Sequence, residues 1–351
     1  MTLDSQPRGV HLVGSVPLQN TEEVFRAASS ILGMRLVRLP DGETGERSDW
    51  IGWQFPVLAR APQLITVPPV PGRYAARPRV KLAPGSDPST LTFGPLGYAE
   101  AAITSFATFS RFKQAGKLPA HYRFQVSLPT PLAVINAFVE RSERSLIEPV
   151  YEEHLLAELD EIITAIPHDQ LAIQWDMPFE IGILEGVIPS HMNNPRADIL
   201  NRLARISTRV PANVQLGYHL CYGDEGHRHF KQPTDTSVMV GLANDLARVI
   251  PRSINWFHMP VPRDRADDAY FAPLHTLTLQ PETKLYLGLV HYTDGVEGTR
   301  RRIEAAQRTV SDFGIATECG MGRRPPETIP ELLRIHAEVA AADIAETGGP
   351  Q

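Results

Sequence analysis

Short apolar runs recur along this chain, and most are followed by a stretch in which apolar residues return every three to four positions. The first run is VHLVGSVP at 10–17, followed by TEEVFRAASSILG, and the second is MRLVRLPDG at 34–42. A helical stretch runs from about Tyr98 to Lys117, and the third run, RFQVSLPTP at 123–131, precedes a long helical stretch ending near Ile166. LAIQWDMP at 171–178 is followed by ADILNRLARISTRV, and VQLGYHLCYG at 214–223 by SVMVGLANDLARVI. INWFHMPVP at 254–262 leads into a shorter helix through about Leu279, and KLYLGLVH at 284–291 into GTRRRIEAAQRTVSDF. GIATECGMG at 314–322 and the helical ETIPELLRIHAEVAAADIAE close the series.

The two periodicities separate strands from helices. Runs that are apolar throughout, rather than alternating, fit parallel strands buried on both faces. Eight strand–helix units predict one α/β domain over 1–351, a single (β/α)8 TIM barrel. A doubly wound open sheet is the alternative, but it usually has fewer strands, and HLVGS is not its G-x-G-x-x-G fingerprint. The Pro-rich stretch at 55–95 is too long for a plain connection. It predicts a lid or hairpin insertion after the second strand, with RVKLAP paired to STLTFGP.

In such a barrel, chemistry collects at the C-terminal ends of the strands. Those ends carry Gly14-Ser15, Asp41-Gly42-Glu43, Pro129-Thr130, Asp176 with Glu180 beyond, His219 and Cys221, His258, His291 with Asp294 beyond, and Glu318-Cys319. Polar strand-to-loop junctions are ordinary and explain the aspartates and glycines. They explain poorly why both cysteines of the chain and three histidines fall there. His219 and Cys221 are two apart, which on a strand means one face. The reading is a zinc site of His219, Cys221 and Cys319, with His258 as a fourth ligand. It requires the two sulfurs to lie within about 5 Å of each other, since Zn–S bonds are about 2.3 Å. Two other readings stand beside it: buried cysteines as small apolar fillers, and a Cys–His nucleophilic pair, for which neighbours at i and i+2 are poorly aligned. His291 and Asp294 are candidates for general acid and base or for substrate binding. HRHF, His227 to Phe230, reads as a solvated loop, and Arg323-Arg324 as a helix start or an anion contact. DGETGERSD lacks the order of a calcium loop.

Composition narrows the partners. A net charge of −6 and a pI near 6.1 call for no basic face, so neither nucleic acid nor an anionic membrane is the expected partner. No apolar run reaches the roughly 20 residues of a membrane span, and the first residues do not read as a signal peptide. Two cysteines in 351 residues are too few for a disulfide framework. The expectation is a reduced, cytoplasmic enzyme acting on a small molecule.

HLVGSVPL, DGETGERSD, SLPTPLA, QWDMPFE, GYHLCYGD and ECGMGRR occur in an order and spacing that resembles the catalytic barrel of cobalamin-independent methionine synthase, within the wider superfamily that includes uroporphyrinogen decarboxylase. The resemblance spans roughly residues 9 to 340 and lacks that family's additional N-terminal half. It implies zinc ligands at His219, Cys221 and Cys319, and a zinc that holds the substrate thiol as the thiolate that attacks a methyl group. It implies that Gly14 and Ser15 meet the carboxylate of a homocysteine-like substrate while Glu43 and Asp176 meet its ammonium, a pairing that makes charge sense. The chain departs from the pattern at three places. The glutamate ligand at the end of the sixth strand is matched by His258; D-E-P reads Asp176-Met177-Pro178; and the tryptophan that stacks on folate has no counterpart in PTPLAVINAF. Trp50 and Trp53 are left to stack on some other flat ligand, while Trp175 alternates with Asp176 and belongs to the core. The expected activity is zinc-dependent methyl transfer to a thiol, with a methyl donor or corrinoid as the second partner. The alternatives are a zinc-dependent hydrolase or C–C lyase of a small carbonyl compound, a metal-free decarboxylase, and a barrel that binds a corrinoid without turnover.

Overall fold

A computed structural model describes residues 6–69 and 77–343. Expectations for the first residues, for 70–76 within the long insertion, and for the end of the last helix lie outside the described residues. Seven strands form one parallel sheet: β1 (Arg38–Pro40), β4 (Arg123–Pro129), β5 (Leu171–Asp176), β6 (Gln215–His219), β7 (Trp256–Pro260), β8 (Lys284–Val290) and β9 (Gly314–Thr317), in that order across the sheet. The remaining two, β2 (Leu64–Val67) and β3 (Arg79–Leu82), make a separate antiparallel pair. Every residue of β5 and β7 is buried, which is why these strands read as continuous apolar runs.

Helices α1 (Thr21–Leu32), α2 (Gln54–Ala59), α3 (Tyr98–Gln114), α4 (Pro131–Phe138), α5 (Arg144–Ala165), α6 (Pro178–Leu184), α7 (Pro195–Thr208), α8 (Ser237–Val249), α9 (Asp268–Phe271), α10 (Gly295–Gln307) and α11 (Ile329–Val339) complete the fold. Their starts follow local chemistry. Asn20 caps α1 and Thr130 caps α4 by accepting backbone N–H bonds, and α4, α6 and α7 open on proline, which needs no donor there. The carboxylate of Glu158 accepts from the N–H groups of Leu96, Gly97 and Ala99, so a side chain on α5 fixes where α3 begins. Among the described residues no helix is long and apolar enough to cross a membrane.

Three expectations change. The first apolar run is not a strand. Val10 makes isolated parallel bridges to both Leu36 and Ile315, and Val10 N–H and His11 N–H donate to Arg35 and Ile315, so this segment touches both edges of the sheet. It does not continue as a ladder because the carbonyls of Leu12 and Val13 accept from the side-chain amides of Gln125 and Gln174 instead. The long helix ending near Ile166 is two helices, α4 and α5, broken where Val139 bridges Val80 and Glu140 N–H donates to Val80. Finally, RVKL pairs with the β-rich LITV, register Leu64↔Leu82, and not with STLTFGP. The shared architecture is a parallel α/β sheet with its strand ends converging on one face.

Candidate metal centre and its cavity

The register of adjacent strands sets Asp176, His219 and His258 side by side: Asp176 of β5 opposes His219 of β6, which opposes His258 of β7. Cys221 lies two residues past the end of β6 and Cys319 two past β9. Their sulfurs are 3.6 Å apart, and Cys319 Sγ is 3.7 Å from His219 Nε2. The three donor atoms all lie within 4.8 Å of one another, making a candidate metal site. Two thiolates on a tetrahedral zinc would stand about 3.8 Å apart, and a thiolate and an imidazole nitrogen about 3.6 Å. The donor set of two soft sulfurs and one imidazole therefore fits zinc in kind, and the Cys221–Cys319 and Cys319–His219 separations fit it in spacing. Gly223 N–H donates to Cys221 Sγ at 3.3 Å. The hydrogen bond to Cys221, and then burial, push the Cys319 thiol well above its ordinary pKa.

His258 does not join the cluster. Its Nε2 donates to the Thr317 carbonyl at 3.0 Å, and its Nδ1 is 2.6 Å from His219 Nδ1. A carbonyl only accepts, so His258 carries its proton on Nε2 and accepts at Nδ1. His219 must then donate from Nδ1, leaving the lone pair of its Nε2 facing Cys319. Burial holds His258 down to about 3 and lowers His219 as well, so both rings are neutral near pH 7. The expected fourth ligand therefore lies outside the group of three donor atoms in this structure: one ring nitrogen of His258 meets His219 and the other the Thr317 carbonyl.

A cavity of about 650 Å³ opens against the cluster, lined by His219, Cys221 and Cys319 together with Gly14, Ser15, Glu43, Trp50 and Asp176. Gly14 permits a close approach, since a Cβ there would sit 2.6 Å from Glu43 Oε1. Glu43 and Trp50 both have φ near +50°, a conformation that costs a non-glycine residue of order 1–3 kcal/mol. Glu43 is held in it by its N–H to Asp41 Oδ1 at 2.9 Å, and Asp41 is itself fixed by Arg47 and Ser105, each at 2.7 Å. Asp176 accepts from Gln174 at 2.9 Å and Trp50 Nε1 at 3.2 Å. Burial, then Asp176 and Asp41, raises Glu43 well above the usual carboxylate range; burial raises Asp176 to about 7. Among the described residues neither carboxylate makes an ion pair. Two such groups on one cavity wall favour a cation.

Other expected residues lie elsewhere. Asp294 is held by Arg302 at 2.6 and 2.9 Å, and His291 donates from Nε2 to the Val261 carbonyl at 2.8 Å. Neither lines the cavity, so the acid–base role expected of them has no access to it in this structure. Glu180 is buried behind the wall and accepts from the Thr130 hydroxyl. Trp50 faces the cavity beside Phe179 (ring centroids 6.4 Å apart, planes 18° from parallel), whereas Trp53 packs on Tyr98 and Trp175 is fully buried. Sequence reasoning missed His229: its ring is 4% exposed and its Nε2 lies 3.4 Å from Glu318 Oε2. The available signal was Phe230 in the same loop, which stacks on Tyr222 and draws the histidine inward.

No protein-family profile matches the chain, and no curated protein sequence does. Solved structures do. A putative vitamin-B12 independent methionine synthase from Listeria monocytogenes aligns with TM-score 0.56 at 14% identity, covering 96% of this chain and 99% of that one. A B12-independent methionine synthase from Shewanella sp. W3-18-1, in complex with selenomethionine, aligns with TM-score 0.59 at 14% identity over 95% and 97%. A methyltransferase from Methanosarcina mazei aligns with TM-score 0.53 at 15% identity over 96% and 95%. The likeness is one of fold, extending over nearly the whole of each chain.

Proposed function

We propose that this chain is a zinc-dependent methyltransferase that methylates the thiol of a homocysteine-like amino acid, on a single (β/α)8 barrel closed through the segment around Val10. One observation carries the reading. Two cysteines and a histidine converge on the wall of a cavity that also holds a half-buried and a buried carboxylate, Glu43 and Asp176, neither of which makes an ion pair among the described residues. The fold likeness to methionine synthases and the sequence motifs support it.

His219, Cys221 and Cys319 are the residues that would hold zinc. Bound there, the metal would supply the charge that keeps a thiol ionised near neutral pH, against an ordinary pKa of about 8.5. The chain's own residues do the rest. Glu43 and Asp176 bind and orient the ammonium of the amino acid. Gly14 leaves room for the Glu43 carboxylate, and Gly14 and Ser15 meet the carboxylate of the amino acid. His258 holds the His219 ring so that Nε2 faces the sulfurs. Asp294 and His291 take no part.

The test is product formation. Zinc-loaded protein incubated with homocysteine and a panel of methyl donors (a methyl-corrinoid, a methylated pterin, a methylsulfonium) is expected to yield methionine with at least one. Full zinc occupancy with no methylated thiol from any donor refutes the reading.

His258 gives a second check. His258→Gln is expected to lower zinc affinity roughly 10- to 100-fold, the usual cost of losing the group behind a metal-bound histidine. Competition with a chromophoric chelator measures it, and unchanged affinity would remove His258 from the centre's support.

A further inference from the structure

A thiol that becomes a thiolate gives up a proton, and a base must receive it. Five carboxylates line the cavity among the described residues: Glu43, Glu140, Asp176, Asp224 and Glu225. Glu43 and Asp176 face the ammonium in the reading above. Glu140 lies 3.8 Å from Arg79, and Glu225 lies 3.7 Å from Arg77 and 3.6 Å from Arg323. Asp224 is the carboxylate left over.

Its place follows from the turn after β6. Gly223 has φ of +74°, a conformation glycine adopts at little cost, and it lets Cys221 and Asp224 line one cavity. The Asp224 side chain is 3% exposed, and its Oδ1 has no hydrogen-bond partner among the described residues. A buried acceptor left in that state costs about 1–3 kcal/mol. Its Oδ2 lies 3.6 Å from Nδ1 of His227, whose side chain is 41% exposed. His227 N–H donates to the Asp224 carbonyl at 3.1 Å, and His227 has φ of +56°, so a tight turn keeps the imidazole beside the carboxylate. One residue thus joins the cavity to a ring that reaches solvent. The surrounding charges are mixed. Burial and then Glu318 raise the Asp224 carboxyl to about 6, against His227, Arg324 and Arg323; Cys319 also feels its charge. A base of that strength is mostly ionised at neutral pH and gives its proton on readily. Glu318 itself lies 3.4–3.6 Å from His229, His291 and Arg324 and does not line the cavity.

We propose that Asp224 is the general base that takes the thiol proton of the incoming substrate and hands it through His227 to solvent. The inference rests on the thiol chemistry proposed above. The S–H bond breaks, its electron pair stays on sulfur, and the proton goes to a carboxylate oxygen of Asp224. It passes to Nδ1 of neutral His227, and the imidazolium releases a proton from Nε2 to water. The sulfur pair then forms the S–CH3 bond, and the donor leaves with the pair of the bond that breaks. The 3.6 Å separation of Asp224 and His227 is of the kind that tightens when substrate binds.

Rapid mixing of the full, zinc-loaded chain with 2-mercaptoethanol, in weak buffer with a pH indicator near neutral pH, tests this. That thiol has no ammonium, so proton release from Glu43 and Asp176 does not enter. Wild type is expected to release about one proton per bound thiol. Asp224→Asn is expected to release the same amount tenfold or more slowly, with zinc affinity unchanged in competition with a chelator. Asp224→Glu is expected to recover most of the rate. A purely structural role would lower zinc affinity or the amount released, and would not single out the rate. If Asp224→Asn releases the proton at the wild-type rate, or slows only because zinc is lost, the assignment of the base is overturned. If the variant slows release while no donor supports methyl transfer, the base stands and the methyl-transfer reading falls. If wild type releases no proton, both fall.

Discussion

Cys319→Ser is expected to strip the protein of zinc. Wild type purified with zinc present should hold close to one ion per chain by elemental analysis, and the variant a small fraction of that. The loss should exceed the roughly 10- to 100-fold reduction expected of groups behind the ligands, because serine replaces a soft thiolate with a hydroxyl that stays protonated. Cys221→Ser should behave alike, since its sulfur is 3.6 Å from that of Cys319. Neither change should unfold the chain. Cys319 is half-buried and Cys221 sits beyond the strand, so near-ultraviolet circular dichroism should survive while zinc does not. If both variants keep full zinc, the centre lies elsewhere and the thiol chemistry proposed for it has no seat.

Much of this was legible in the residues. Strands whose interiors are apolar throughout, such as LAIQW and KLYLGLV, announce themselves because both faces are buried. The ends of those strands are where the cluster assembles, which is why two cysteines 98 residues apart pointed to one place. What the sequence hid has physical reasons. The run at 10–17 is apolar enough for a strand, but Gln125 and Gln174, distant in sequence, take up its carbonyls. His258 looked like a ligand because its strand position is equivalent to that of His219. Only the hydrogen bond to Thr317 shows that its ring serves another imidazole. Asp294 looked catalytic until Arg302, eight residues on along α10, claimed it.

Glu43→Gln should separate two kinds of thiol. For a homocysteine-like substrate, removing one carboxylate from the ammonium site is expected to lower kcat/KM by about 10²-fold or more, from the roughly 2–5 kcal/mol lost when one partner of a buried charge pair is truncated. A thiol without an ammonium, such as 2-mercaptoethanol, should be methylated by wild type and variant at similar rates. Equal losses for both substrates would show that Glu43 serves the fold and not the ammonium. Asp176→Asn supplies the matching signature in stability. The folded-state pKa of Asp176 is raised, to about 7, so the free protein holds its proton more tightly than the unfolded chain does. That contribution is present below the ordinary carboxylate pKa and is lost as pH rises through about 7. The substrate-free wild type should therefore lose stability between about pH 4 and pH 8, by on the order of 3 kcal/mol from this group. Asp176→Asn should flatten that fall and be the more stable protein at pH 8. The ammonium of the substrate reverses the balance, because it favours both ionised carboxylates. Its binding near pH 7 should release protons, visible as a dependence of the measured heat on buffer ionisation, and that release should shrink in both variants.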